Sequence, residues 1–247
     1  MPPFLARRHR LPELMDDPAL DPAEHRRALD ALGWASVVSL TAPSIWPAIH
    51  ELAAVVTGRP IRVLDVACGG GHLVVALAGL ARRDGLAIDL IGCDVSAVAV
   101  DYARALARRS GHERVRFVQA DAFSGDELAL DGSGEPGSIG FDAVISSLFL
   151  HHLDDDAVVA MLARMRRAAR LLVVASDLRR TKLGFAYAWV GCRVLGRSRV
   201  FRVDGALSVR AAFTMEEVRR LADAAGLDRA RVIARWPQRL LLSWRRA

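Results

Sequence analysis

The chain has 247 residues, 52% of them apolar, with a mean hydropathy of +0.21, which is enough for one large domain with a buried core. Its net charge of +6 is almost all arginine, since Lys182 is the single lysine. No nucleic-acid-binding motif accompanies that charge, so nucleic acid is not an expected partner, although anionic surfaces, membranes included, are favoured at modest salt. Cys68, Cys93 and Cys192 are odd in number and lack CxxC spacing, which argues against a disulfide framework and a cysteine zinc site. With no uncharged apolar run of eighteen residues and no apolar stretch after the basic N-terminus, a cytoplasmic chain is expected.

Residues 1–60 carry helical signals. Asp21-Pro22 opens a helix that Gly33 is expected to end, and a second runs from Ser44 to Val56, closed by Gly58 and Pro60. This segment is expected to form a helical cap, with the main domain from 61 to 247. From Ile61 the pattern changes to apolar runs too continuous for half-exposed strands: IRVLDVA, LAIDLIGCD, VRFVQAD, FDAVISS and RLLVVASD. Helical windows at about 72–82, 96–110 and 154–168 lie between them, so the fold class is α/β, with a parallel sheet and helices on both faces. DGSGEPGSIG (131–140) reads as a flexible loop. Residues 178–212 interrupt the alternation, TMEEVRRLADAAG resumes it as a helix with Thr214 as its N-cap, and RVIAR and RLLLSW finish the chain as an antiparallel hairpin.

Chemistry concentrates in VLDVACGGGHLVVALA. A buried strand ends near Asp65, and Gly69 and Gly71 precede an apolar helix, so backbone can approach a ligand closely beside free helix N–H groups. A dinucleotide site wants G-x-G-x-x-G, but Val74 stands at the third glycine. No Gly-Lys-Ser/Thr follows either, which rules against a Walker A loop. The acid at the turn would repel a pyrophosphate and suit a cationic amine. Asp94 ends the second strand, where a carboxylate can accept ribose hydroxyls, and Asp121 follows the third. Either acid alone could equally cap a helix. Three acids at three successive strand tips point instead to a ligand at the edge where open α/β sheets bind one.

These residues resemble the motifs of class I S-adenosylmethionine-dependent methyltransferases over about 60–245. DVACGGG is similar to the family's E/D-x-G-x-G-x-G, with Ala67 in place of the first glycine. The resemblance implies a Rossmann-like sheet of order 3-2-1-4-5-7-6, strand 7 antiparallel, and S-adenosylmethionine as cofactor. Asp65, Ala67, Gly69 and Gly71 would hold the methionine part, Asp94 and Val95 the ribose, and Asp121 with Ala122 the adenine. FDAVISSLFLHHLDD resembles the fourth motif and brings Ser146 to the donor site. A narrower resemblance, through RLPELMDDPALDPAEHRRAL, DGALSVRAAFT and WPQRLLLSW, is to bacterial methyltransferases of type III polyketide and phenolic-lipid pathways.

Methyl transfer from a sulfonium needs alignment above all, and a base only where the acceptor must lose a proton. His151 and His152, just past the fourth strand, are the catalytic candidates, with a structural role at the following helix as the other reading. Asp177 closes the fifth strand and could orient a substrate or a histidine. No metal is expected, because a metal site would want carboxylates from strands four and five and the fourth offers only Ser146 and Ser147; activity that survives a chelator is the corresponding expectation. FAYAWVGCRVLG, amid Arg179, Arg180, Lys182, Arg193, Arg197, Arg199 and Arg202, reads as an apolar helix. It is either a lid with Tyr187 and Trp189 facing substrate, an amphipathic helix resting on anionic lipid, or a helix packed on the sheet. The expected function is O-methylation of a small phenolic or polyketide-like acceptor. C-methylation of a quinone-like ring, a nicotinamide-dependent oxidoreductase and a non-catalytic binder remain open beside it.

Overall fold

A computed structural model describes residues 3–17, 19–112, 115–121, 140–195 and 198–246. The flexible loop expected at 131–140 lies outside the described residues except for Gly140, and so does Ala122.

After a short α1 (Pro3–Ala6) and a 3-10 turn (Leu14–Asp16) come α2 (Pro22–Val38) and α3 (Thr41–His50), the latter continued by a 3-10 turn at Glu51–Ala54. The alternating part follows: β1 (Ile61–Val66), α4 (His72–Arg83), β2 (Ile88–Asp94), α5 (Ala97–Arg109), β3 (Val115–Gln119), β4 (Phe141–Ser147), a 3-10 turn (Leu150–His152), α6 (Asp155–Ala168) and β5 (Ala169–Leu178). Helices α7 (Lys182–Leu195) and α8 (Arg199–Ala211) precede α9 (Met215–Ala224), β6 (Arg231–Arg235) and β7 (Arg239–Arg245). The sheet order is β3-β2-β1-β4-β5-β7-β6, with β7 antiparallel to both neighbours. Among the described residues no single helix is long and apolar enough to cross a membrane.

The continuous apolar strands are explained by two cores, one on each face of the sheet. Leu64, Val66 and Val144 pack with Leu162 of α6 and Val218 of α9, while Val63 and Ile145 pack with Ile45 of α3, Leu77 of α4 and Val100 of α5. Thr214 caps α9 as expected, in a reciprocal capping box with Glu217. A third, smaller cluster of Ala31, Cys192 and Phe201 joins α2, α7 and α8 into a helical roof. The apolar run of the insert forms α7 as expected, but the second helix, α8, was not visible in the pattern because its arginines mask it.

Gly33 does not end α2. It lies buried inside the helix, where a Cβ would fall 2.3 Å from Nε2 of His72. Close packing, not helix termination, is its reason. Gly33→Ala should therefore lower thermal stability. The gain in helix propensity, about 1 kcal/mol, is smaller than an overpacking cost of about 1–3 kcal/mol, and a melting curve at or above that of the native chain would contradict this.

Candidate active site

The donor end of the site is built at the carboxyl edge of β1, β2 and β3, beside the point where the order reverses between β1 and β4. The turn after β1 takes left-handed backbone at Ala67 (φ 56°), Gly69 (φ 51°) and Gly71 (φ 74°). Gly71 has a second reason to be glycine, because a Cβ there would lie 2.6 Å from the Phe117 ring. Asp94 fixes the turn: Gly69 N–H donates to its Oδ2 at 2.8 Å and Ser96 N–H to its Oδ1 at 2.9 Å. Ser96, not Asp94, caps α5. Each oxygen of Asp94 keeps a lone pair for a ligand hydroxyl.

Asp65 is 1% exposed, and neither of its oxygens has a hydrogen-bond partner among the described residues. Burial, and then the nearby charge of Asp94, push its carboxyl well above the usual carboxylate range. Such a group is costly unless a cation meets it, and it lines a cavity of about 920 Å³ together with Ala67, Gly69, Asp94, Val95 and Asp121. Val95 is exposed there and Asp121 lies at the surface. An orphaned acid for an amine, a carboxylate with spare lone pairs for hydroxyls and close backbone at the turn fit S-adenosylmethionine. Ser146 is a correction: its Oγ donates to the Val66 carbonyl at 2.9 Å, it is 1% exposed, and it does not line the cavity, whereas Ser147 does.

The same cavity is lined by His151 and His152. The His151 ring donates Nδ1–H to Asp177 Oδ1 at 2.7 Å, and its backbone N–H donates to Asp177 Oδ2 at 3.0 Å. Burial alone would raise the Asp177 carboxyl, but His151, the Leu178 N–H and Arg239 outweigh it and hold it below the usual range. Asp177 is therefore a positioning residue. It is 2% exposed and absent from the cavity lining, which corrects its expected place against a substrate.

Sequence reading missed Glu13, which enters from the N-terminal segment. Its Oε1 lies 3.7 Å from Nε2 of His151 and its Oε2 3.9 Å from Nε2 of His152. Leu14 and Met15 donate backbone N–H groups to Asp204 of α8 at 2.9 and 3.0 Å, and Ser208 Oγ donates to Glu13 Oε1 at 2.6 Å. Arg8 ties the same segment to the carbonyls of Ala211, His151 and Leu153. Arg239, also missed, is 3% exposed and lines the cavity, donating to Ser147 Oγ at 3.0 Å and Ser176 Oγ at 3.1 Å. Its burial lowers its pKa to about 10, against the pull of Asp177. Both lie in segments that carry the narrower resemblance, RLPELMDD and WPQRLLLSW, but only the folded contacts show that their side chains reach the cavity.

The walls come from α2, α7 and α8, with Leu29, Leu32, Tyr187, Cys192 and Phe201 facing in. Tyr187 meets the expectation of a lining residue in position only. Trp189 does not: it points outward, 46% exposed, with the Arg193 guanidinium 4.0 Å above its ring.

Residues 63–171 match the family described as a methyltransferase domain. A ubiquinone biosynthesis O-methyltransferase of Xanthomonas campestris pv. campestris is 34% identical over 152 residues, 60% of this chain and 56% of that protein. The chain thus spans about half the length of such relatives. Among solved structures, an O-methyltransferase family 2 protein from Planctomyces limnophilus in complex with apigenin aligns with TM-score 0.63 at 17% identity, covering 94% of this chain and 63% of that one. Magnesium protoporphyrin IX methyltransferase from Synechocystis PCC 6803 with bound S-adenosylhomocysteine aligns with TM-score 0.54 at 17% identity, covering 84% and 83%. At these identities the structures speak for the fold. Together with the sheet order and the acids around the glycine turn, the family match over residues 63–171 makes this region similar to class I S-adenosylmethionine-dependent methyltransferases.

Proposed function

We propose that the chain transfers the methyl group of S-adenosylmethionine to an oxygen of a small, largely apolar aromatic acceptor. One observation carries this reading: a single cavity is lined both by the donor-type acids and by the Glu13–His151–His152 cluster. Its volume of about 920 Å³ is near the top of the range for one drug-sized ligand, about 300–1,000 Å³, which suits two ligands end to end.

S-adenosylmethionine supplies an electrophilic methyl on a sulfonium. The protein supplies position and polarity. Asp65 takes the amine, Asp94 the ribose hydroxyls, and Asp121 the adenine. The roof of α2, α7 and α8 covers the apolar part of the acceptor, with Tyr187 among its walls. The acceptor oxygen lies against His151 and His152, where loss of its proton is favoured, and Asp177 holds the His151 ring for that task. A hydroxyl suits these polar groups better than a ring carbon does, and the relative named above as an O-methyltransferase supports the same choice. The phenolic or polyketide-like character of the acceptor rests on the apolar walls.

A lipid-borne acceptor is a specific form of this reading. Trp34, Val37, Leu183, Val190, Val194 and Trp236 are exposed on α2, α7 and the hairpin, with Lys182, Arg193 and Arg202 exposed nearby in sequence. Apolar side chains among cations favour an anionic bilayer. The test is product mass analysis with S-adenosylmethionine and a panel of phenols, with and without anionic vesicles. A gain of one methyl on oxygen, larger with vesicles for long-chain phenols, is expected. A methyl on ring carbon would overturn the oxygen assignment, and no vesicle effect would overturn the membrane one.

A further inference from the structure

We propose that Glu13, His151 and His152 form a binding site for a first-row divalent cation of the zinc type. One carboxylate oxygen and the two ring nitrogens lie within 4.8 Å of one another. The pairs at 3.7 and 3.9 Å are too long for hydrogen bonds. They are only a few tenths of an ångström beyond the separation of about 3.3 Å that tetrahedral ligands at about 2.0–2.1 Å impose. Side-chain rotation brings the two ring nitrogens and one carboxylate oxygen, all within 4.8 Å of one another, onto a common centre.

The surroundings hold the ring in place. The Nδ1–H of His151 is committed to Asp177, and Nε2 is turned toward the Glu13 carboxylate, which is only 8% exposed. The supporting residues are those of a built metal site. Asp177 fixes the ring of one ligand, Ser208 donates to the carboxylate of another at 2.6 Å, and Asp204 holds the backbone just after Glu13 through two N–H bonds. Two imidazoles with one carboxylate select zinc, iron or manganese over magnesium or calcium, which want oxygen.

The site itself does not depend on the methyl-transfer reading; its role does. All three residues line the cavity, so the open side of the cluster faces the acceptor. There an acceptor hydroxyl gives its proton to solvent, and its oxygen then takes the methyl while the bond to sulfur breaks with its electron pair left on sulfur. His151 and His152 then act as ligands. This reverses the expectation of chelator-resistant activity, which counted only the carboxylates at strand ends and lacked Glu13.

The test is calorimetric titration of zinc chloride into the full chain after chelator treatment, with S-adenosylhomocysteine binding measured in parallel. One zinc per chain is expected. Affinity should fall more than about 100-fold in Glu13→Gln and in His152→Ala, and about 10-fold in Ser208→Ala, the range seen for residues that support metal ligands. Cobalt substitution should give visible bands without a thiolate charge-transfer band. No saturable binding, equal affinity in Glu13→Gln, or a thiolate band from the cysteines would each overturn the site. Unfolding of a variant is checked by circular dichroism, and the cobalt spectrum of the native chain decides even if the variants fail to fold. Normal zinc binding with no methyl transfer to any phenol would overturn the proposed function and leave the site standing.

Discussion

Asp65→Asn is expected to abolish donor binding while leaving the donor-free chain at least as stable as before. The two effects have one cause. In the donor-free chain the carboxyl is buried, with no hydrogen-bond partner for either oxygen among the described residues, so its charge is stabilised only when a ligand cation arrives. Removing one partner of a buried ion pair costs about 3–5 kcal/mol, so affinity for S-adenosylhomocysteine should fall at least about 100-fold. Calorimetry with S-adenosylhomocysteine reads this directly.

The pH dependence separates this account from a structural one. The folded-state pKa of Asp65 is raised, so between the unfolded value, about 4, and the folded value the native state binds more protons than the unfolded state. Stability therefore falls as pH rises through that window. Asp65→Asn removes that slope, and its melting temperature should overtake that of the native chain as pH increases, by about 2–4 °C for each kcal/mol relieved. A variant that melts lower at every pH, with donor affinity intact, would make Asp65 a structural acid and remove the main support of the donor site.

The donor side was legible in the sequence because its residues are local to strand tips. Strands buried on both faces leave unbroken apolar runs, and a polar residue at the end of such a run lies at the ligand edge. Asp65, Asp94 and Asp121 could be found that way. Ser146 misled because period 2 says which face a residue takes but not what it bonds; its hydroxyl is spent on the Val66 carbonyl. Trp189 misled for a related reason. An apolar helix with aromatic residues all round does not declare which side faces in, and only the folded helix shows that Tyr187, though 42% exposed, lines the cavity while Trp189 does not. Glu13 was out of reach altogether. It sits in a segment without periodicity and meets His151 only because Arg8, Asp204 and Ser208 pull that segment across the sheet edge.

His151→Asn should separate the reactive end of that imidazole from its structural end. The asparagine amide can still donate to Asp177, replacing the Nδ1–H bond of 2.7 Å, so the buried carboxylate keeps its partner and the fold survives. What is lost is Nε2, the atom that faces Glu13 and the cavity. Turnover should drop by about 10²–10⁴-fold, the contribution usual for a group that handles the acceptor proton, while S-adenosylhomocysteine affinity stays within about twofold. Asp177→Asn acts one step back. It leaves Nε2 present but weakens the hold on the ring, so its loss should be smaller, about 10–100-fold, and should fall on kcat rather than on donor binding. If both variants lost donor affinity and turnover in parallel, the pair would be part of the scaffold beneath the donor and nothing more. If His151→Asn kept full turnover, the acceptor would lie elsewhere in the cavity, with Arg239 and Ser147 among the polar groups to hold it.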